Sequence, residues 1–301
     1  MANAKEIKRK IASIQNTSKI TKAMELISTV KMKKAQDLAL QKKDFVLEML
    51  KVFSRIEEFL RDFPYFQKSE SKKTLAVMIT SNKGLCGGYN VNVMKKVNEY
   101  VKQNPEEKIE YITLGKKATA FVARTWQHLI ADFSPEFTDN IDPLFVKNIT
   151  KIIYERYLTG EYGKVVVFYN YYVNSIKQVP VAREFLPIDD AAVRKYLEDI
   201  VDDAKALEEI KHNVTDYIIE PSMEAIAMDV IPMILDLMFY DIILEAKASE
   251  HSARMVAMKA AKDNSKKIAD MLTLAYNKAR QGLITREVSE IVAGVEALKD
   301  A

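Results

Sequence analysis

The chain has 301 residues, 48% of them hydrophobic and 29% charged, with a formal net charge of +3. This composition excludes wholesale disorder, and the charge is too small to argue for nucleic acid by itself; at roughly 150 residues per domain the length suggests about two domains. The single cysteine, Cys86, excludes a disulfide scaffold or a cysteine zinc site, and three histidines far apart in sequence argue against a histidine metal cluster.

Helix breakers organise the rest. Residues 1–63 and 233–281 contain neither Gly nor Pro, whereas most of the 8 Gly and 8 Pro lie between Pro64 and Pro187. Breaker-free ends of this length predict two long helices. Asn3 and Glu6 have the spacing of a capping box that opens the first, over residues 4–63. Ile7, Ile11 and Ile14 begin a heptad seam, and Phe45, Met49, Val52, Ile56, Phe59 and Phe63 continue the four-three alternation. Between them the seam thins among Lys31, Lys33, Lys34, Lys42 and Lys43. Residues 1–43 carry eleven Lys and Arg against three Asp and Glu, so this stretch is expected to face an external acidic partner.

The middle alternates strands with helices. Strands are expected at 74–80, 109–114, 164–170 and 175–186, the last demoted toward an edge by Pro180, and a final one at 214–219. Helices are expected at 91–103, 118–126 and 143–158, with an acidic helical stretch at 189–210. The fold class is therefore α/β: a central Rossmann-like domain with a mainly parallel sheet over 70–220, and an antiparallel coiled coil made from 1–63 and 222–301. In the C-terminal helix, Leu235, Met238 and Ile242 form one seam segment, and Ile268, Leu272, Ala275 and Ala279 another. At 1.5 Å per residue the C-terminal helix outruns its partner by about 30 Å. That overhang carries an apolar stripe, Ile284, Val288, Ile291, Val295 and Leu298, which needs a partner surface.

Gly84, Gly87 and Gly88 sit between a strand and a helix, but Tyr89 and Asn90 follow where a phosphate loop needs Lys and Ser or Thr. A tight turn is expected there, with no nucleotide bound, and no catalytic set is found. Apolar runs broken by Asp or Glu short of about 18 residues predict no membrane span, and the start MANAKEIKRK lacks the apolar core of a signal peptide.

Four segments together resemble one family: IASIQNTSKITKAMELIS (11–28), TSNKGLCGGYN (80–90), EHSARMVAMKAAKDN (250–264) and YNKARQGLITREVSEIVAGVEAL (276–298). They are similar to the gamma subunit of bacterial F-type ATP synthases. Departures are Asn82 and Lys83, where the family has an acidic residue and arginine, and Val295, where alanine usually follows the glycine. The resemblance implies a non-catalytic rotor shaft without cofactor. Its implied partners are the alpha and beta subunits of a catalytic hexamer, an epsilon subunit and a membrane c-ring, at the cytoplasmic face of the bacterial cell membrane. It further implies contacts to the hexamer from Lys22, Met24, Arg254, Gln281 and Thr285, an apolar bearing at the tip stripe, and a ring-facing foot at Ile219 and Glu220. The alternative is a coiled-coil nucleic-acid-binding protein that tracks phosphates with the basic stretch; its binding would weaken steeply with salt.

Overall fold

A computed structural model describes residues 4–56, 60, 63–201, 220 and 222–299. Asn3 of the capping box, the end of the acidic helix, the strand expected at 214–219 and Ile219 fall outside the described residues. The elements are α1 (Ala4–Leu40), α2 (Lys43–Ile56), β1 (Lys73–Ile79), α3 (Tyr89–Gln103), β2 (Lys108–Leu114), α4 (Lys116–Arg124), β3 (His128–Asp132), α5 (Pro143–Leu158), β4 (Lys164–Tyr172), β5 (Gln178–Leu186), α6 (Asp190–Val201) and α7 (Met223–Lys299). The chain divides into two compact units. Residues Met1–Ser28 with Met255–Ala301 form one, and Thr29–Arg254 the other.

In the larger unit the strands run in the order β3-β2-β1-β4-β5. The first four are parallel, and β5 returns antiparallel at the edge, as Pro180 suggested. Both faces of the sheet are covered, so β1 is buried almost throughout. Its alternate residues divide between two cores. Leu75, Val77 and Ile79 join α2, α5, α6 and the first half of α7, while Ala76 and Met78 join α3 and α4. Strand β3 was not anticipated: only five residues long, at the edge and half polar, it has neither the length nor the alternation of a sequence signal.

Helix α5 begins at 143 as expected, because Asp142 accepts the Leu144 amide at 2.9 Å and Pro143 occupies the first turn. The first helix is not continuous to 63: a turn at Gln41–Lys42 separates α1 from α2. In α2 the expected seam holds at Met49 and Ile56 but not at Phe45 and Val52, and Phe59 lies outside the described residues. Val46, Met49, Leu50, Phe53 and Ile56 are buried, whereas Phe45 and Val52 are exposed. A helix lying on a sheet-containing core buries a broad face, so Val46, Leu50 and Phe53 join Met49 and Ile56 there while Phe45 and Val52 lie at its margin.

The smaller unit is an antiparallel pair of helices. On α1, Ile7, Ile11, Ile14, Ser18, Thr21, Glu25 and Ser28 are buried or half-buried, in an unbroken four-three alternation. On α7 the matching row is Met258, Lys262, Ser265, Ala269, Leu272, Tyr276 and Ala279. The expected seam was offset by one residue at Ile268, which is exposed, and at Ala275. Small and hydroxylated residues replace leucine in the middle of this seam, which allows close approach of the helices at the expense of apolar burial. The Thr21 hydroxyl donates to the Ser18 carbonyl at 3.0 Å, so a buried hydroxyl is satisfied within its own helix. One charged pair lies in the seam: Lys262 Nζ meets Glu25 Oε2 at 2.7 Å.

Candidate functional site

In doubly wound sheets, ligands bind beyond the carboxyl ends of the strands where the strand order reverses. Here that point lies between β1 and β4. The glycine turn follows β1 and is closed on itself: the Ser81 amide and hydroxyl donate to Asn90 Oδ1 at 3.0 and 3.1 Å, and Asn90 Nδ2 reaches Cys86 Sγ at 3.2 Å. Cys86 is buried, a packed side chain. Gly87 has φ +56°, in the left-handed region that favours glycine, while Gly88 has an ordinary φ of −80°. The adjoining turn uses Gly115 at φ +104°, where an added Cβ would stand 2.2 Å from the Thr80 carbonyl oxygen.

The crevice itself is filled by α7. The Tyr89 hydroxyl donates to the Ala246 carbonyl at 3.0 Å, and Asn170 Nδ2, near the end of β4, donates to the Tyr89 carbonyl at 2.9 Å. Ser252 Oγ donates to the Ser175 carbonyl at 2.7 Å. Arg254 donates from Nη2 to the Lys83 carbonyl at 3.1 Å and from Nε to that of Gly84 at 3.4 Å, and pairs with Glu250 at 2.8 Å. Arg254 is thus committed to its own chain and 8% exposed.

Beside it lies a charge cluster that sequence reading missed. Asp139, in the β3–α5 connection, meets Lys31 Nζ of α1 at 2.6 Å, and His251 Nε2 and Lys247 Nζ of α7 at 3.1 and 3.6 Å. The His251 hydrogen bond, followed by those cations, holds the Asp139 carboxyl well below the ordinary carboxylate range against the effect of burial. Burial lowers the Lys247 pKa, opposed by Glu250 and Asp139; its ammonium sits 3.7 Å from the centre of the Phe137 ring. Lys34 donates to Asn140 Oδ1 at 3.3 Å, and Lys42 pairs with Asp241 in a buried setting. Lys31 and Lys34 stay exposed while holding these partners, and the expectation that this basic stretch faces outward is corrected for Lys42, whose side chain is turned inward. Their partners lie a hundred or more residues away, where spacing arguments do not reach. Lys33 is exposed, and the Lys43 side chain is outside the described residues.

The remaining expected contacts lie on the smaller unit. Lys22, Gln281 and Thr285 are exposed and Met24 is half-buried beside Glu25. The Thr285 hydroxyl donates to the Gln281 carbonyl at 3.0 Å. Beyond Ala279 no described α7 residue is buried. Ile284, Val288, Ile291 and Val295 lie open at 51%, 53%, 66% and 50% exposure, and Leu283 and Val292 widen the stripe. Leu298 is helical, with its side chain outside the described set. Ile20, Ile27, Met271 and Leu274 are further exposed apolar residues that the seam analysis passed over. Glu220 is exposed.

Known proteins resemble this chain from end to end. A family model described as ATP synthase matches residues 3–298. The ATP synthase gamma chain of Polynucleobacter asymbioticus is 37% identical over 303 residues, covering 99% of this chain and 100% of its own. That of Cytophaga hutchinsonii is 34% identical over 310 residues, with both chains covered completely. A chain of the Euglena gracilis mitochondrial ATP synthase, from a structure of OSCP, F1 and c-ring, shares the fold at a TM-score of 0.64 and 20% identity. That match covers 98% of this chain and 94% of the other. One from the central stalk and c-ring of the Tetrahymena thermophila enzyme gives 0.55 at 24% identity, covering 80% and 99%.

Proposed function

The chain belongs to the ATP synthase gamma-chain family, and on that premise we propose how its surfaces serve a rotor. It is the central-stalk subunit of an ATP synthase, a membrane-associated complex. The helix pair of the smaller unit turns within the hexamer of alpha and beta subunits, on the cytoplasmic face of the bacterial cell membrane. The sheet-containing unit and the foot at Glu220 are carried by the c-ring with an epsilon subunit. The chain itself breaks no bonds; the filling of the sheet crevice by residues 246–254 supports this, because the place where such folds hold a nucleotide is occupied by its own helix.

A rod of two unequal helices presents a different face to each surrounding subunit at every angle. Lys22 and Met24 on α1, and Gln281 and Thr285 on α7, offer distinct chemistry around it. Only contacts that differ between open and closed states of a site can shift it from one to the other. Ion-driven rotation thus becomes release of ATP, and hydrolysis drives the reverse.

The observation that carries this reading is the apolar stripe of α7 beyond the seam. Each side chain is about half exposed, so sheathing it in an apolar sleeve contributes about 1 kcal/mol. Non-directional contact of this kind resists tilting while permitting sliding, as a bearing requires. The experiment is reconstitution of the hexamer with two variants, scoring complex yield and ATP-driven rotation. Deleting residues 292–301 should weaken assembly and leave some rotation, whereas Ile284→Asp with Val288→Asp should be worse, because a buried unpaired charge costs more than a lost contact. A doubly charged variant that assembles and rotates like the parent, while the deletion does not, would overturn the bearing. No observation favours the nucleic-acid reading, since Lys31, Lys34 and Lys42 are engaged within the chain.

A further inference from the structure

The sheet-containing unit holds its two long helices by different means. Helix α7 is gripped along residues 246–254 by the glycine turn, Tyr89 and the β4–β5 hairpin. Helix α1 is held at fewer points among the described residues: Ala35 is buried, Met32 meets the Tyr172 hydroxyl, and its reach to the β3–α5 connection is through Lys31 and Lys34. That connection is a firm base. Asn82 Nδ2 donates to the Ser134 and Phe137 carbonyls at 3.0 and 2.7 Å, the Asp132 carboxylate accepts the Ser134 amide at 2.8 Å, and the Phe137 ring is buried against Phe145.

Asp139 projects from this base and is shared by both helices. Its Oδ2 takes Lys31 of α1, and its Oδ1 takes His251 of α7, with Lys247 a little farther away. Charge-assisted bonds on both oxygens fix a carboxylate in angle as well as distance. Lys247 and His251 are buried, so the α7 side of the bridge is shielded from solvent, while Asp139 keeps 40% side-chain exposure on the other side. A torque applied to the sheet reaches α7 through many contacts; it reaches α1 through apolar packing at Met32 and Ala35, and through this carboxylate as a charged tie shared with α7.

We propose that Asp139 is a positioning residue of the rotor, a clasp that makes α1 and α7 turn together with the sheet-containing unit and so limits torsional slip. The inference rests on the rotor reading above. Without the clasp the two helices twist against one another before torque is transmitted, and stored rotation is lost to elastic recoil under load.

The test uses the whole ATP synthase reconstituted in vesicles, with the hexamer immobilised and a bead on the sheet-containing unit for single-molecule work. Asp139→Asn should assemble and hydrolyse ATP without load like the parent. It should widen the angular distribution of the paused bead and lose ion pumping against a gradient. Asp139→Glu should recover part of both. Lys31→Ala should widen the distribution in the same way and add nothing on top of Asp139→Asn. Parent-like angular width and pumping in Asp139→Asn would overturn the proposal, as would widening by the two variants that simply adds. If Asp139→Asn does not assemble, Lys31→Ala, which leaves the α7 side intact, decides alone: a widened distribution supports the clasp and a parental one refutes it. Failure of the parent chain to rotate in the hexamer would instead strike at the rotor reading.

Discussion

Arg254 separates two roles that the family resemblance merges. The residue is implied to contact the hexamer, yet its guanidinium is 9% exposed and pairs at 2.8 Å with Glu250, whose side chain is 6% exposed. Arg254→Ala removes that pair and the bonds to the Lys83 and Gly84 carbonyls. It leaves the Glu250 carboxylate buried, with Lys247 at 3.7 Å as the remaining cation. Breaking a buried pair costs about 3–5 kcal/mol, and the nearby ammonium places this case at the low end, about 3 kcal/mol. With an m-value of about 3 kcal/mol/M, the urea midpoint of the free chain should fall by about 1 M. Combining Arg254→Ala with Glu250→Gln removes the stranded charge, so the double variant should be more stable than Arg254→Ala alone. The assay is urea unfolding of the isolated full chain followed by circular dichroism. An unchanged midpoint in Arg254→Ala would refute the argument and assign the side chain to partner contact alone.

Three further outcomes are expected. Gly115→Ala forces a Cβ to 2.2 Å from a carbonyl oxygen at positive φ, and should cost about 3 kcal/mol or more; Gly84→Ala, with nothing within 4 Å of the new atom, should stay within about 0.5 kcal/mol in the same unfolding assay. The folded-state pKa of Asp139 is depressed, so its contribution is fully present above the unfolded value of about 3.9 and lost as pH falls through the lower folded value. The melting-temperature gap between parent and Asp139→Asn should therefore be narrower at pH 3 than at pH 5. Removing the seam charge with Glu25→Ala should loosen the register of the helix pair, so that cysteine pairs placed one heptad out of register crosslink in the variant and not in the parent.

The architecture was legible where one physical signal dominates. Breaker-free ends announced the long helices, and the buried strands β1, β2 and β4 stood out as apolar runs between turns. On α1 the seam was legible only where it is apolar, at Ile7, Ile11 and Ile14, and on α7 at Leu272 and Ala279. Its continuation through Ser18, Thr21, Glu25 and Ser28 keeps the same spacing, but burial of these residues depends on a partner helix more than two hundred residues away. Distance in sequence also hid the partners of the lysines, since Asp139 and Asp241 are brought to Lys31 and Lys42 only by the fold. The turn at Gln41–Lys42 has no Gly or Pro to mark it. Gly87 and Gly88 look equivalent in sequence, and only the backbone shows that Gly87 alone takes the left-handed conformation.

The pair Glu25 and Lys262 is separated by 237 residues in the chain. At a synthesis rate of about 5–20 residues per second, Lys262 leaves the ribosome about 12–50 s after Glu25. Throughout that interval α1 is complete in sequence but has no second strand for its seam, and Ile7, Ile11 and Ile14 stand open to any apolar surface nearby. The sheet, whose strands all lie between these two residues, can fold meanwhile as a unit. Birth order therefore runs opposite to burial order: α1 is made before the sheet, yet its seam is covered after it. For such a chain the nascent N-terminal helix is the segment on which a ribosome-associated holdase would have most effect on yield.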